Sequence, residues 1–153
     1  MHIYEATIAW SRGEQKFTDN RYSRGHSWRF DGGAQVQASS SRYVVPLPMS
    51  VEAGVDPEEA LVAATASCHM LFFLSIAAKK GFVVDRYADR ASAVMGKNGD
   101  GKMAMTRITL RPEIAFGGER MPTRQELDEI HHESHEQCFI ANSLKSEVVV
   151  EAV

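Results

Sequence analysis

The 153-residue sequence predicts an α+β fold in which mainly antiparallel sheets accompany one long apolar helix and a second, amphipathic helix. Three observations predict it. Asp56-Pro57-Glu58-Glu59 is a helix-start signal in front of an apolar stretch. Strand-like runs lie on both sides of that stretch and carry the tight-turn sequences Asp31-Gly32-Gly33 and Asn98-Gly99-Asp100-Gly101. A second capping pattern, Thr123 with Glu126, opens a shorter helix. Neither an internal repeat nor a linker is visible, so residues 1–153 read as a single domain.

The elements follow in order. His2–Trp10 alternates as a first strand, with Ile3, Ala6 and Ile8 among polar neighbours. Ser11–Gly25 is a polar loop that holds Arg12, Lys16, Arg21 and Arg24. Ser27–Phe30 and Ala34–Ala38 form a hairpin around the Asp-Gly-Gly turn. Val44–Val55, with Pro46, Pro48 and Gly54, is a connecting loop, because its prolines remove backbone donors. Asp56 then serves as N-cap and Pro57 as first helical residue, with Glu58 and Glu59 at the positive end of the dipole. This helix runs to about Lys80, where Gly81 stops it. Its apolar residues point all round the axis, so it must be buried all round. A domain of this size seldom covers such a helix alone, and the expected unit is a homodimer that packs two copies together. Val83–Met95 and Met103–Ala115 are two strand runs joined by the Asn98–Gly101 turn. The second helix covers Arg124–Gln137, and Ser146–Val153 is a final strand.

Composition narrows the function. A formal charge of −3 gives no general electrostatic reason to bind nucleic acid or an anionic membrane. Thr65, Ser67, His69 and Ser75 interrupt the apolar stretch Ala60–Ala78, which reads against a membrane span. Met1–Trp10 lacks a basic segment followed by an apolar one, so a cytoplasmic location is expected. Two cysteines cannot staple a small secreted fold, which leaves open what they are for.

Cys68 lies mid-helix in Ala66-Ser67-Cys68-His69-Met70, and Cys138 ends the second helix. Inert packing is the ordinary fate of a buried cysteine. Ser67 and His69, however, are polar neighbours that a purely structural helix would not need. Met70, Phe72, Phe73 and Phe139 would suit an apolar alkyl or aryl chain or simply form core. His131, His135 and Cys138 share a helical face beside His132, Glu133 and Glu136, and these are zinc-type donors. No complete metal motif accompanies them, so a polar helix face is the better reading. An ionised thiol in an apolar pocket needs a nearby cation, because burial alone raises its pKa. Arg21, Arg24 and Arg42 are candidates for that cation, and Glu58 or Glu59 for the carboxylate that would orient it.

The segment Val55–His69, with a cysteine ten residues after Glu58, resembles the core motif of the OsmC/Ohr family, the osmotically inducible and organic hydroperoxide resistance proteins. His135–Ser143 is similar to that family's second motif. The resemblance implies an OsmC-like fold over the single domain, intertwined as a homodimer. It also implies a thiol peroxidase that reduces organic hydroperoxides without metal, heme or flavin. Cys68 would attack the hydroperoxide and become a sulfenic acid, and Cys138 would resolve it as a Cys68–Cys138 disulfide. A dithiol, in the family often a lipoyl group or lipoylated protein rather than glutathione, would restore both thiols. Arg24, with Arg21 and Arg42 as alternatives, would stabilise the thiolate, and Glu58 would orient the arginine. Ten helical residues rise about 15 Å, so Glu58 cannot touch Cys68 along one straight helix; the resemblance implies a site completed by the partner subunit. The chain departs from the family pattern at Tyr22-Ser23-Arg24-Gly25-His26, at Phe139 after the second cysteine and at His69 after the first. The alternative is a metal-binding or redox-sensing OsmC-like protein with little turnover.

Overall fold

The computed structural model describes residues 1–151. The chain forms two compact units, Met1–Ala60 and Leu61–Val153, with the boundary inside the first turn of the long helix.

The first unit is an antiparallel sheet of β1 (Ala6–Ala9), β2 (His26–Phe30) and β3 (Gln35–Ala38), in that order. The expected hairpin is present. Gly33 adopts φ +96°, a conformation that glycine tolerates, and Phe30 N–H donates to the Ala34 carbonyl across the turn. The first strand is shorter than expected, because only Ala6–Ala9 pairs, with Ala6 opposite Phe30. The connecting loop returns along β3: Val55 N–H donates to Gln37 O and Ser39 N–H to Val55 O. Gly54 permits this approach, since a Cβ there would sit 3.0 Å from the Ala38 carbonyl carbon.

Helix α1 (Pro57–Lys79) starts where the sequence indicates. Asp56 Oδ1 accepts from Glu59 N–H at 2.8 Å, and Glu59 Oε1 accepts from Asp56 N–H at 2.9 Å. Gly81, at φ +85°, ends it, with Phe82 N–H donating back to Ala77 O. All-round burial is not what the chain achieves. Thr65, His69, Phe73, Ile76 and Ala77 are buried on one face. Ala64, Ser67, Leu71 and Ala78, spaced by three, four and seven, lie open on another, and Leu71 is 60% exposed. One chain does not supply enough surface to cover both faces. By length and composition α1 could also cross a membrane, but its buried face carries His69, bonded to a second histidine, and serves as the core wall of the second unit.

In the second unit, each expected strand run is broken in two. β4 (Val83–Asp89) pairs with β7 (Pro112–Gly117), and β5 (Ser92–Lys97) with β6 (Met103–Leu110). Both breaks meet at one contact. Asp89 Oδ1 accepts the Arg111 backbone N–H at 2.7 Å, and Pro112 has no N–H to offer. The β5–β6 turn is as expected, with Asn98 Oδ1 accepting from the backbone of Asp100 and Lys102. β8 (Glu147–Val150) pairs with β6 in parallel, the one exception among the described strand pairs to an antiparallel arrangement. Of the expected last strand, residues 152 and 153 lie outside the described residues.

Helix α2 (Arg124–Gln137) has the expected limits, and Thr123 and Glu126 form the reciprocal cap. A single-turn helix α3 (Phe139–Asn142) follows it. The core joins Phe73, Ile76 and Ala77 of α1 to Phe82 and to Ile130 of α2, against Val84, Tyr87, Ile114 and Phe116 of the β4–β7 pair.

Candidate active site

The second unit holds both cysteines, and both are free thiols. Cys68 is half-buried on α1. Cys138, 1% exposed, sits at the junction where α2 ends and α3 begins. Its extended backbone (φ −64°, ψ 111°) breaks the helix, and its Sγ accepts the Ala141 N–H at 3.4 Å, so the thiol caps α3. The Cys68 thiol is a neighbour of it, close enough to perturb its ionisation. Burial pushes the Cys138 pKa up; the Ala141 N–H opposes this, and the neighbouring Cys68 thiol adds to it. Phe72 and Phe139, which flank this pair in sequence, meet edge to face at 5.1 Å. Phe73 belongs to the core instead, fully buried against Tyr87 and Phe116.

The first unit holds the arginines and Glu58. Arg24 lies over the Tyr22 ring at 3.6 Å from its centroid. Its guanidinium donates to the carbonyls of Asn20 and Tyr22 and, at 2.9 Å, to Asn20 Oδ1. Asn20 reaches it by adopting φ +62°. Arg24 also forms part of the wall of an open cleft of about 490 Å³ with Trp10, Phe17, Tyr22 and His26. Arg42 instead makes an exposed ion pair with Glu52 at 3.3 Å, and the Arg21 backbone N–H donates to Asp19. Within the chain, Asn20 and Tyr22 are the groups that Arg24 bonds. Glu59 is occupied by the α1 cap, while Glu58 Oε2 is buried with no hydrogen-bond partner among the described residues.

His131 and His135 are half-buried on one face of α2, as the polar-face reading expects, and His131 meets His69 of α1. His69 Nε2 and His131 Nδ1 lie 3.0 Å apart. Their ring centroids are 5.3 Å apart with planes within 10°, so the rings meet edge to edge and share one hydrogen bond. His69 is 1% exposed. Burial, then His131 and His135, lowers it to about 4. Burial also lowers His131 to about 4, Asp128 opposing the shift and Arg124 adding to it. Both rings are therefore neutral at pH 7. Among the described residues, no group of three or more His, Cys, Asp or Glu side chains is placed to hold a metal ion. His69 had one sequence signal, a polar residue inside an apolar helix. Its pairing with His131, 62 residues away, had none.

The family model described as "OsmC-like protein" matches residues 50–153. The chain belongs to the OsmC-like family. A structure of an OsmC-like protein of unknown function from Vibrio cholerae is 53% identical over 100% of both chains, with a TM-score of 0.98. An organic hydroperoxide resistance protein OsmC from Legionella pneumophila, at 12% identity, covers 99% of this chain and 96% of its own, with a TM-score of 0.69. The organic hydroperoxide resistance protein OhrB of Bacillus subtilis, at 15% identity, covers 99% and 98%, with a TM-score of 0.67. These two share the OsmC-like α+β fold with the present chain. A search of curated protein sequences finds no match.

Proposed function

We propose that this OsmC-like protein is a two-cysteine thiol peroxidase that reduces organic hydroperoxides and works as a homodimer. The observation that carries the reading is that the half-buried Cys68 and the buried Cys138, both free thiols, are neighbours in the second unit. The family match, and the fold shared with two proteins named for organic hydroperoxide resistance, support it.

The two environments divide the labour. Cys138 is buried and its thiol is held protonated by that burial, which suits a resolving group. Cys68 is the accessible thiol and acts as the nucleophile. Its thiolate attacks the distal oxygen of ROOH, the O–O bond breaks, and the alkoxide takes a proton to leave as ROH. Cys68 is then a sulfenic acid. Cys138 condenses with it, releasing water and forming the disulfide. A dithiol then reduces the disulfide by two exchange steps and becomes a disulfide itself. Arg24, held over the Tyr22 ring, is the cation we assign to the reacting thiolate, and Glu58, whose buried Oε2 has no partner among the described residues, is the carboxylate we assign to orient it. A homodimer would cover the open Ala64–Ser67–Leu71–Ala78 stripe of α1.

Steady-state assays test this reading. Consumption of cumene or tert-butyl hydroperoxide is expected to exceed that of hydrogen peroxide, with dihydrolipoyl donors and not with glutathione. Arg24→Ala should lower kcat/KM by about 10²-fold, whereas Arg42→Ala, which removes exposed contacts to Glu52 and Tyr43, should leave it within about twofold. Equal losses in the two variants would remove Arg24 from the mechanism. No turnover with any hydroperoxide would favour the redox-sensing alternative.

A further inference from the structure

A cavity of about 350 Å³ lies in the second unit between α2, β7 and β8. Its floor is apolar, made of half-buried Ile114, Phe116, Leu127, Val148 and Val150. Among the described residues its polar wall comes from α2: Arg124, Asp128, His131, His132 and His135. That volume and this pairing of an apolar floor with a few convergent polar groups are those of a small-molecule site.

The His69–His131 bond decides what head group the wall accepts. His69 Nδ1 is buried with no hydrogen-bond partner among the described residues. A buried N–H left unbonded is costlier than an unbonded lone pair, so the hydrogen-bond network assigns the His69 proton to Nε2. From there it donates to His131 Nδ1. His131 consequently carries its own proton on Nε2, the nitrogen left for the cavity. A donor at that position repels a metal ion and calls for an acceptor. Arg124 supplies the matching positive charge. Its pair with Asp128 is a single Nε–Oδ1 contact of 3.2 Å with both side chains 61% exposed, which leaves the terminal guanidinium nitrogens available.

We propose that this cavity is a second ligand site, independent of the cysteines, for a short aliphatic carboxylic acid. Arg124 and the His131 Nε2–H hold the carboxylate, and Ile114, Phe116 and Val148 cover the chain.

Octanoate is the probe, titrated calorimetrically into the full reduced protein beside octanol and octylamine. Octanoate should bind at least about tenfold more tightly than octanol, and octylamine should not bind. Arg124→Gln, an exposed substitution, should weaken octanoate about tenfold, and Val148→Trp, which fills the floor, should abolish binding. Cys68→Ser should leave binding unchanged, which keeps this site distinct from the peroxidase reading. In histidine-ring NMR spectra, octanoate should shift His131 with its proton on Nε2, a readout that stands even where Val148→Trp fails to fold. Octanol or octylamine binding as well as octanoate, affinity unaffected by Arg124→Gln, loss of binding in Cys68→Ser, or a His131 ring protonated on Nδ1 would each overturn the proposal.

Discussion

Replacing Cys68 with serine should reduce hydroperoxide consumption with a dithiol donor to the rate without protein, a loss of at least about 10³-fold. A hydroxyl is far less acidic than a thiol, and oxygen cannot form the sulfenic acid on which the remaining steps depend. The substitution should leave the fold intact, because Cys68 is only half-buried and makes no hydrogen bond that holds α1 together. Cys138→Ser should behave differently. It keeps the attacking thiol but removes its resolving partner, so one turnover should proceed and Cys68 should then accumulate as sulfenic or sulfinic acid. Rates measured with cumene hydroperoxide, together with intact masses of both variants, check the pair. Full activity in Cys68→Ser would place the chemistry elsewhere.

Acid should destabilise the second unit through its two paired histidines. His69 and His131 titrate at about 4 in the fold, against about 6.5 in an unfolded chain. Between those values the unfolded state binds more protons than the folded one, so stability rises with pH. Their contribution is complete above about pH 6.5 and is lost as pH falls towards 4. One fully realised shift of this size corresponds to about 3 kcal/mol, and the two rings share a single hydrogen bond. The loss expected of the pair is therefore on the order of 3 kcal/mol rather than twice that. Asp89 acts in the opposite sense, since burial raises its carboxyl and its folded form takes up a proton first. Denaturant midpoints measured between about pH 7.5 and 4.5 should fall for the natural sequence and fall less for His69→Phe. Equal slopes in the two proteins would show that the pair does not carry the acid response.

What could be read from the sequence follows the range of the interactions involved. Both helix caps were legible because Asp56 with Glu59 and Thr123 with Glu126 satisfy one another within three residues. The Asn98 turn was legible for the same reason. The strand breaks were not, since Asp89 and Arg111 are 22 residues apart and nothing local marks the carboxylate that ends each run. The parallel docking of β8 on β6 depends on a crossover, residues 111–146, that holds β7, α2 and α3. At the site, the resemblance of Val55–His69 and of His135–Ser143 to the two OsmC/Ohr motifs singled out Cys68 and Cys138. Side-chain chemistry alone left them among ordinary buried cysteines. The holders of Arg24 lie four and two residues from it, but the positive φ at Asn20 that brings its amide round could not be inferred beforehand. The His69–His131 pair, made between two helices, could be found only in the fold.

The most direct test of the central claim is a stoichiometric oxidation. Fully reduced protein is mixed with one equivalent of cumene hydroperoxide, quenched with an alkylating agent and measured by intact and peptide mass spectrometry. A two-cysteine peroxidase should lose two hydrogens, resist alkylation at both positions and yield one cross-linked peptide pair containing Cys68 and Cys138. Two alkylated thiols with no loss of hydrogens, or a stable oxygen adduct on Cys68 beside a free Cys138, would contradict it.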